Sequence, residues 1–204
     1  KVLIYLDDVI CHSPDFDGML HTLRQVFERF RTAKLKLKPS KCKLFQDEVE
    51  FLGFVVNESG VNCDKKKTEV IRNWKTPKSV TEVRSFIGFC SYYRNFISQF
   101  SLIASPLHEL TKKGVRYKWN AQCEESFQTL KRKLTEPPVL AFPNEHDTFV
   151  LDTDASLEAA GATLSQIQNG VERVISFGSK KFSKSQRNMC TTMRELCSII
   201  MFLG

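Results

Sequence analysis

No two of the seven cysteines in this 204-residue chain form a C-x-x-C pair. Cys11, Cys42, Cys63, Cys90, Cys123, Cys190 and Cys197 are odd in number and widely scattered, which argues against both a zinc site and a disulfide framework. Such usage fits a reducing, intracellular compartment. No signal-peptide pattern opens the chain, and no apolar run is long enough to span a bilayer, so no membrane partner is expected. Internal repeats and low-complexity tracts are also absent. The first residue is Lys1 rather than Met. The apolar Val2-Leu3-Ile4-Tyr5 stands directly at one end and Ile199-Ile200-Met201-Phe202-Leu203 at the other. The expectation is a fragment, cut within a strand at one end and within a helix at the other.

Hydrophobic residues make up 42% and charged residues 26%, and sixteen phenylalanines suffice for a core, so disorder is excluded as the default. The net charge of +7 points to an anionic partner, with nucleic acid ahead of an acidic membrane. Its location sharpens that reading. Residues 64–118 hold twelve lysines and arginines against four acidic residues, a surplus of +8 that accounts for the whole excess. A helical segment that tracks phosphates would carry charge in this way.

Val2–Tyr5 and Val9-Ile10-Cys11 flank Leu6-Asp7-Asp8, which predicts a β-hairpin with two aspartates at its turn. A helix is expected from about Asp17 to Ala33, with Leu20, Leu23, Phe27 and Phe30 recurring at helical spacing on one face. The alternation Lys34-Leu35-Lys36-Leu37-Lys38 predicts a half-buried strand ending at Pro39. Phe51–Val56 predicts another, broken at Gly53. From Lys65 the pattern turns helical. Ser79 and Glu82 form a capping-box pair ahead of Val83, Phe86, Ile87 and Cys90. Asn120 is expected to cap a helix bearing Phe127, Leu130 and Leu134, which Pro137-Pro138 stops. Strands return at Phe149–Leu151, Gly161–Leu164 and Val174–Phe177, with Asn169-Gly170 as a hairpin turn. A last helix begins near Thr192.

Three constellations carry chemistry. Nucleotidyl transfer needs two hard cations held by carboxylates, and Asp7 and Asp8 at a rigid turn suit that task. Asp pairs also occur in turns for local hydrogen bonding alone. In Phe51-Leu52-Gly53-Phe54, the glycine marks either a close approach by another chain or a simple bulge. Thr153-Asp154-Ala155-Ser156, with Glu195 on the later helix, supplies carboxylates from a strand and a helix, as two-metal hydrolysis requires. Alternatively, Asp154 is a strand-end residue and Glu195 closes a capping box with Thr192.

The order of these motifs resembles one family. Tyr5-Leu6-Asp7-Asp8, Leu37-Lys38-Pro39-Ser40-Lys41-Cys42 and Phe51-Leu52-Gly53-Phe54-Val55-Val56 resemble the end of the palm of gypsy-class LTR retrotransposon reverse transcriptases. Residues 74–88 and Tyr92-Tyr93-Arg94-Asn95-Phe96-Ile97 are similar to the family's thumb. Trp119-Asn120 through Pro137-Pro138-Val139-Leu140 resembles the segment leading into ribonuclease H. Thr153–Ser156, Gly161–Gln166 and Arg194-Glu195-Leu196 resemble the start of that domain.

The resemblance implies an α+β chain in three parts: palm over 1–63, helical thumb and tether over 64–146, and a partial ribonuclease H-like mixed sheet with helix over 147–204. It implies Asp7 and Asp8 as polymerase metal ligands, with Asp7 the firmer. Phe51, Leu52, Gly53 and Phe54 would be the primer grip. Asp154 and Glu195 would be the first two ribonuclease H carboxylates. Lys78, Arg84 and Arg94 would face nucleic-acid phosphates. Mg2+ or Mn2+ is the implied cofactor. An RNA template, a DNA primer strand, the RNA–DNA hybrid and deoxynucleoside triphosphates are the implied partners, in the cytoplasm or in virus-like particles.

Both implied metal sites need further carboxylates that the chain does not supply, so the fragment alone is expected neither to polymerise nor to cleave. Two other readings stand beside this one. One is a non-catalytic nucleic-acid-binding relic, recognised by steeply salt-dependent binding without turnover. The other is a silent structural subunit, recognised by a stoichiometric complex.

Overall fold

The structure is a computed structural model and describes residues 1–203. The chain divides into two compact units, Lys1–Glu58 and Ser59–Gly204.

In the first unit, β1 (Val2–Tyr5) and β2 (Asp8–Cys11) form an antiparallel hairpin in which Tyr5 faces Asp8. Asp8 is therefore the first residue of a strand, and the turn itself is Leu6-Asp7. Helix α1 (Phe16–Thr32) is capped by Asp15, whose carboxylate accepts from the Gly18 N–H at 2.6 Å. Leu23 is buried, but Leu20 and Phe27 are exposed. The covered stripe instead runs through Met19, Leu23, Val26 and Phe30.

The strand expected over Lys34–Lys38 does not form. Lys34 adopts φ 55° just past the helix, its N–H bonds Arg31 O, and the Leu35 N–H bonds Phe30 O. These two bonds are a Schellman stop, which commits the start of the segment to closing α1. Leu35 and Leu37 are left exposed.

Phe51–Val56, expected as one broken strand, is a hairpin. β3 (Glu48–Phe51) and β4 (Phe54–Asn57) pair antiparallel across Leu52-Gly53. Both turn residues have positive φ (49° and 74°), the signature of a type I′ turn, so Gly53 reverses the chain rather than bulging it.

The second unit opens with β5 (Gly60–Cys63), which is bridged to Leu140 by two backbone hydrogen bonds at Val61. Helices α2 (Lys65–Arg72), α3 (Val80–Tyr92), α4 (Phe100–Ile103), α5 (Ser105–Leu110) and α6 (Ala121–Thr135) come next. Ser79 and Asn120 cap α3 and α6 as their types predict. Glu82, however, reaches one residue further back than a capping box requires and accepts from the Lys78 N–H at 2.8 Å. Ile71, Val83, Phe86, Cys90, Phe127, Leu130 and Leu134 are essentially inaccessible. Each such side chain contributes about 1.5–3 kcal/mol by leaving water. The Phe86 and Phe127 rings meet at 4.6 Å between centroids.

β6 (Phe149–Ala155), β7 (Ala159–Gln168) and β8 (Val171–Lys181) form an antiparallel sheet in that order. β7 and β8 run several residues longer than their apolar cores suggested. Over these residues the expected mixed sheet contains antiparallel pairs only, because tight turns join the strands. Asn169-Gly170, with φ 52° and 75°, makes the β7–β8 turn. The buried Gln166 side chain donates to Asn144 O and Asp147 O, and so fixes the loop before β6. After the short α7 (Lys184–Arg187), α8 (Thr191–Leu203) packs on β6 and β7.

Helices and sheet are tied together within this unit. Arg94 donates to Ser179 O at 2.7 Å, and the Ser101 N–H donates to Ser179 Oγ at 2.7 Å. Lys181 donates to Ser105 Oγ at 2.8 Å, and Arg173 donates to Ser59 O at 2.7 Å.

Candidate functional site

The first carboxylate pair stands at the tip of an exposed hairpin. Asp7 is the second turn residue and Asp8 opens β2, both exposed. Leu6 precedes them at φ 53°, a conformation that costs a branched side chain energy and that a two-residue hairpin demands of its first turn residue. The turn thus presents consecutive acidic side chains on a backbone fixed by four paired residues on either side. Phe51, Leu52, Gly53 and Phe54 lie together at the β3–β4 turn, all half-buried.

Asp154 and Glu195 occupy the strand and the helix that the sequence suggested. Asp154 is exposed near the end of β6, and Glu195 is half-buried in the second turn of α8, which packs against β6. Because α8 already begins at Thr191, Thr192 lies inside it and cannot be its cap. The capping-box explanation for Glu195 therefore falls away.

The oxygen-donor chemistry at both places suits a hard divalent cation. The number of donors is smaller than a closed site needs. Among the described residues, no group of three or more His, Cys, Asp or Glu is placed to hold a metal ion.

Of the basic residues singled out, Lys78 is exposed. Arg84 donates to Thr111 O at 3.0 Å. Arg94 is bound to Ser179 O, with its guanidinium 5.9 Å from the centre of the Phe100 ring. Both arginines thus make a contact within this unit, and both remain exposed. Lys65, Lys66, Lys67, Lys75, Lys113 and Arg116, not singled out from the sequence, are all exposed.

Sequence reasoning also missed Gln99, whose side-chain amide donates to Asp154 Oδ2 at 3.1 Å. A residue 55 positions away gives no local signal of such a contact.

A cleft of about 670 Å³ between α4–α6 and β8–α7 is lined by Lys112, Lys181 and Arg187 and by Glu109, Glu125 and Glu158. It contains neither Asp154 nor Glu195. The hydrogen bond from Lys112, joined by a weaker one from Lys181, holds the Glu109 carboxyl below its ordinary pKa against the opposing effect of burial. Burial pushes the Cys63 and Cys90 thiols up to about 12.

Residues 1–56 match the family model of reverse transcriptase (RNA-dependent DNA polymerase). Residues 119–204 match that of the RNase H-like domain found in reverse transcriptase. The chain is similar to the retrovirus-related Pol polyprotein from transposon 412 of Drosophila melanogaster, 37% identical over 199 residues. That match covers 98% of this chain and 16% of the polyprotein. The transposon Tf2-3 polyprotein of Schizosaccharomyces pombe is 32% identical over 200 residues, covering 98% of this chain and 15% of its own length. The chain therefore spans about a sixth of the length of these curated relatives.

Among solved structures, the foamy viral protease-reverse transcriptase in complex with RNA/DNA hybrid superimposes with TM-score 0.87 at 23% identity. It covers 99% of this chain and 28% of that one. The same protease-reverse transcriptase in complex with dsDNA gives 0.86, over 99% and 42%. At this identity the likeness speaks for the fold.

Proposed function

We propose, from its matches to the reverse transcriptase model and to the linked RNase H-like model and from its likeness to retrotransposon Pol polyproteins, that the chain contributes to two active sites of a longer enzyme. The gypsy-class assignment fits these relatives. The enzyme copies an RNA template into DNA from a DNA primer strand and deoxynucleoside triphosphates. It also degrades the RNA of the resulting RNA–DNA hybrid. Residues 1–63 serve as palm, 64–146 as thumb and tether, and 147–204 as the start of the nuclease domain.

The observation that carries this reading is the pairing of two carboxylate placements with a basic helical segment between them in sequence. Asp7 and Asp8 stand at an exposed hairpin tip, and Asp154 and Glu195 stand on a strand and the helix packed against it. Mg2+ or Mn2+, when bound, would supply Lewis-acid activation and charge neutralisation, with Asp7 and Asp8 as ligands at one site and Asp154 and Glu195 at the other. Phe51–Phe54 position the primer end. Lys78 and the exposed lysines and arginines of residues 65–116 track the phosphates. Arg84 and Arg94, each exposed and steadied by one backbone carbonyl, are among them.

The enzyme acts inside the cell, in the cytoplasm or in virus-like particles. No helix of the described residues is long and apolar enough to cross a membrane.

The test places this chain in a Pol polyprotein and changes one carboxylate at a time. Asp7→Asn is expected to abolish primer extension and spare hybrid cleavage, and Asp154→Asn to do the reverse. The isolated chain, with partial ligand sets, is expected to do neither. Loss of neither activity in either variant would sink the assignment. Salt-dependent binding with no metal-dependent turnover in the polyprotein would favour a nucleic-acid-binding relic.

A further inference from the structure

Asp154, Gly161 and Ser179 lie side by side on β6, β7 and β8, each paired with the next in register. The segment from Arg94 to Ser101 crosses this row. Arg94 and Ser101 both bind Ser179 on the outer strand β8. Gln99 passes over the middle strand and reaches Asp154 on the far one.

Gly161 makes the crossing feasible. A Cβ there would already touch Gln99 Cγ at 3.5 Å, so a larger side chain would press on the glutamine. The Gln99 backbone is itself fixed. It adopts φ 57° and ψ 32° ahead of α4, and its carbonyl accepts from the N–H groups of Leu102 and Ile103 at 3.0 and 3.1 Å. Its side chain is a neutral donor. It orients a carboxylate oxygen without adding a positive charge that would repel a cation.

We propose that Gln99 is the positioning residue for Asp154: by holding Oδ2 it fixes the carboxylate and leaves Oδ1 as the oxygen presented outward. The proposal rests on the reading of Asp154 as a nuclease carboxylate.

Gln99→Asn is the informative variant. Asparagine keeps the amide and tolerates the left-handed backbone, but is one methylene too short to reach. The measurement is NMR of the 204-residue chain, reading Asp154 χ1 from three-bond couplings and titrating Mg2+ alone while monitoring the Asp154 carboxyl carbon. The wild type is expected to hold a single rotamer. Gln99→Asn is expected to average rotamers and to raise the Mg2+ midpoint about tenfold, with amide signals elsewhere unchanged. Gly161→Val, which crowds the glutamine from the opposite side, is expected to reproduce that averaging.

A single unchanged rotamer and an unchanged Mg2+ response in both variants would overturn the proposal. If the rotamer averages while Mg2+ leaves wild-type Asp154 unmoved, positioning stands and the metal-dependent reading fails.

Discussion

Arg94 and Ser179 lie 85 residues apart in sequence, yet the guanidinium of the first donates to the carbonyl of the second at 2.7 Å. A charged donor to a partly buried carbonyl is worth about 2 kcal/mol. Arg94→Ala is therefore expected to lower the unfolding free energy by about that amount, read from the urea midpoint. Lysine, a point charge on a flexible stem, should recover only part of it. A variant as stable as wild type but deficient in nucleic-acid binding would assign Arg94 to phosphate contact rather than to this tie.

Gly60 gives a sharper stability test. It sits at φ 136°, and a Cβ there would fall 2.1 Å from the Leu140 carbonyl oxygen, which the Val61 N–H already engages at 2.8 Å. Gly60→Ala must break this bridge or move the backbone, at a cost of about 3 kcal/mol or more. Gly88→Ala, where nothing lies within 4 Å of the added atom, is the matched control. It lies inside α3 and should gain stability by about 0.5–1 kcal/mol. Equal effects of the two changes would contradict the packing at Val61 and Leu140.

The pH dependence comes from Glu109. Its folded pKa is depressed below 4.5, chiefly by the hydrogen bond from Lys112 and then that from Lys181. A depressed carboxylate adds stability that is present above the unfolded value and is lost as pH falls through the folded one. The stability gap between wild type and Glu109→Gln should thus be open at neutral pH and close below 4.5. Because both carboxylate and lysines are partly exposed, the gap should also shrink with added salt. A gap constant across acid pH would remove the ion pairs as its cause.

Thiol chemistry should divide the cysteines by depth. Cys42 and Cys190 are exposed, whereas Cys63 and Cys90 are buried with thiols pushed up to about 12. Since the thiolate is the reactive form, a thiol reagent should modify Cys42 and Cys190 first and reach Cys63 and Cys90 only on unfolding. Fast labelling of Cys90 in the folded chain would contradict the core around α3.

The features legible in the sequence are those whose cause is local. Ser79 and Asn120 cap because the N–H groups they accept from belong to Glu82 and Cys123, three residues along the chain. Asn169-Gly170 turns because both residues accept positive φ. Lys34–Lys38 misled because alternation alone cannot say whether a partner strand exists, and a helix stop claimed its first residues. Leu20 and Phe27 are exposed for a related reason, since periodicity marks an apolar face without supplying something to cover it. The carboxylates Asp7, Asp8, Asp154 and Glu195 were legible by type and motif. The contacts of Gln99, Arg84 and Arg94 were not, because each depends on a partner 27 or more residues away.

The hydrogen bond from Arg173 to Ser59 joins positions 114 residues apart and ties the opening of the second unit to its third sheet strand. Closing so long a loop costs entropy that only contacts made late can offset. Folding of this unit should accordingly be slow for its size. Its helices and its sheet should also be lost in one transition, since neither can leave without severing the ties that hold the other.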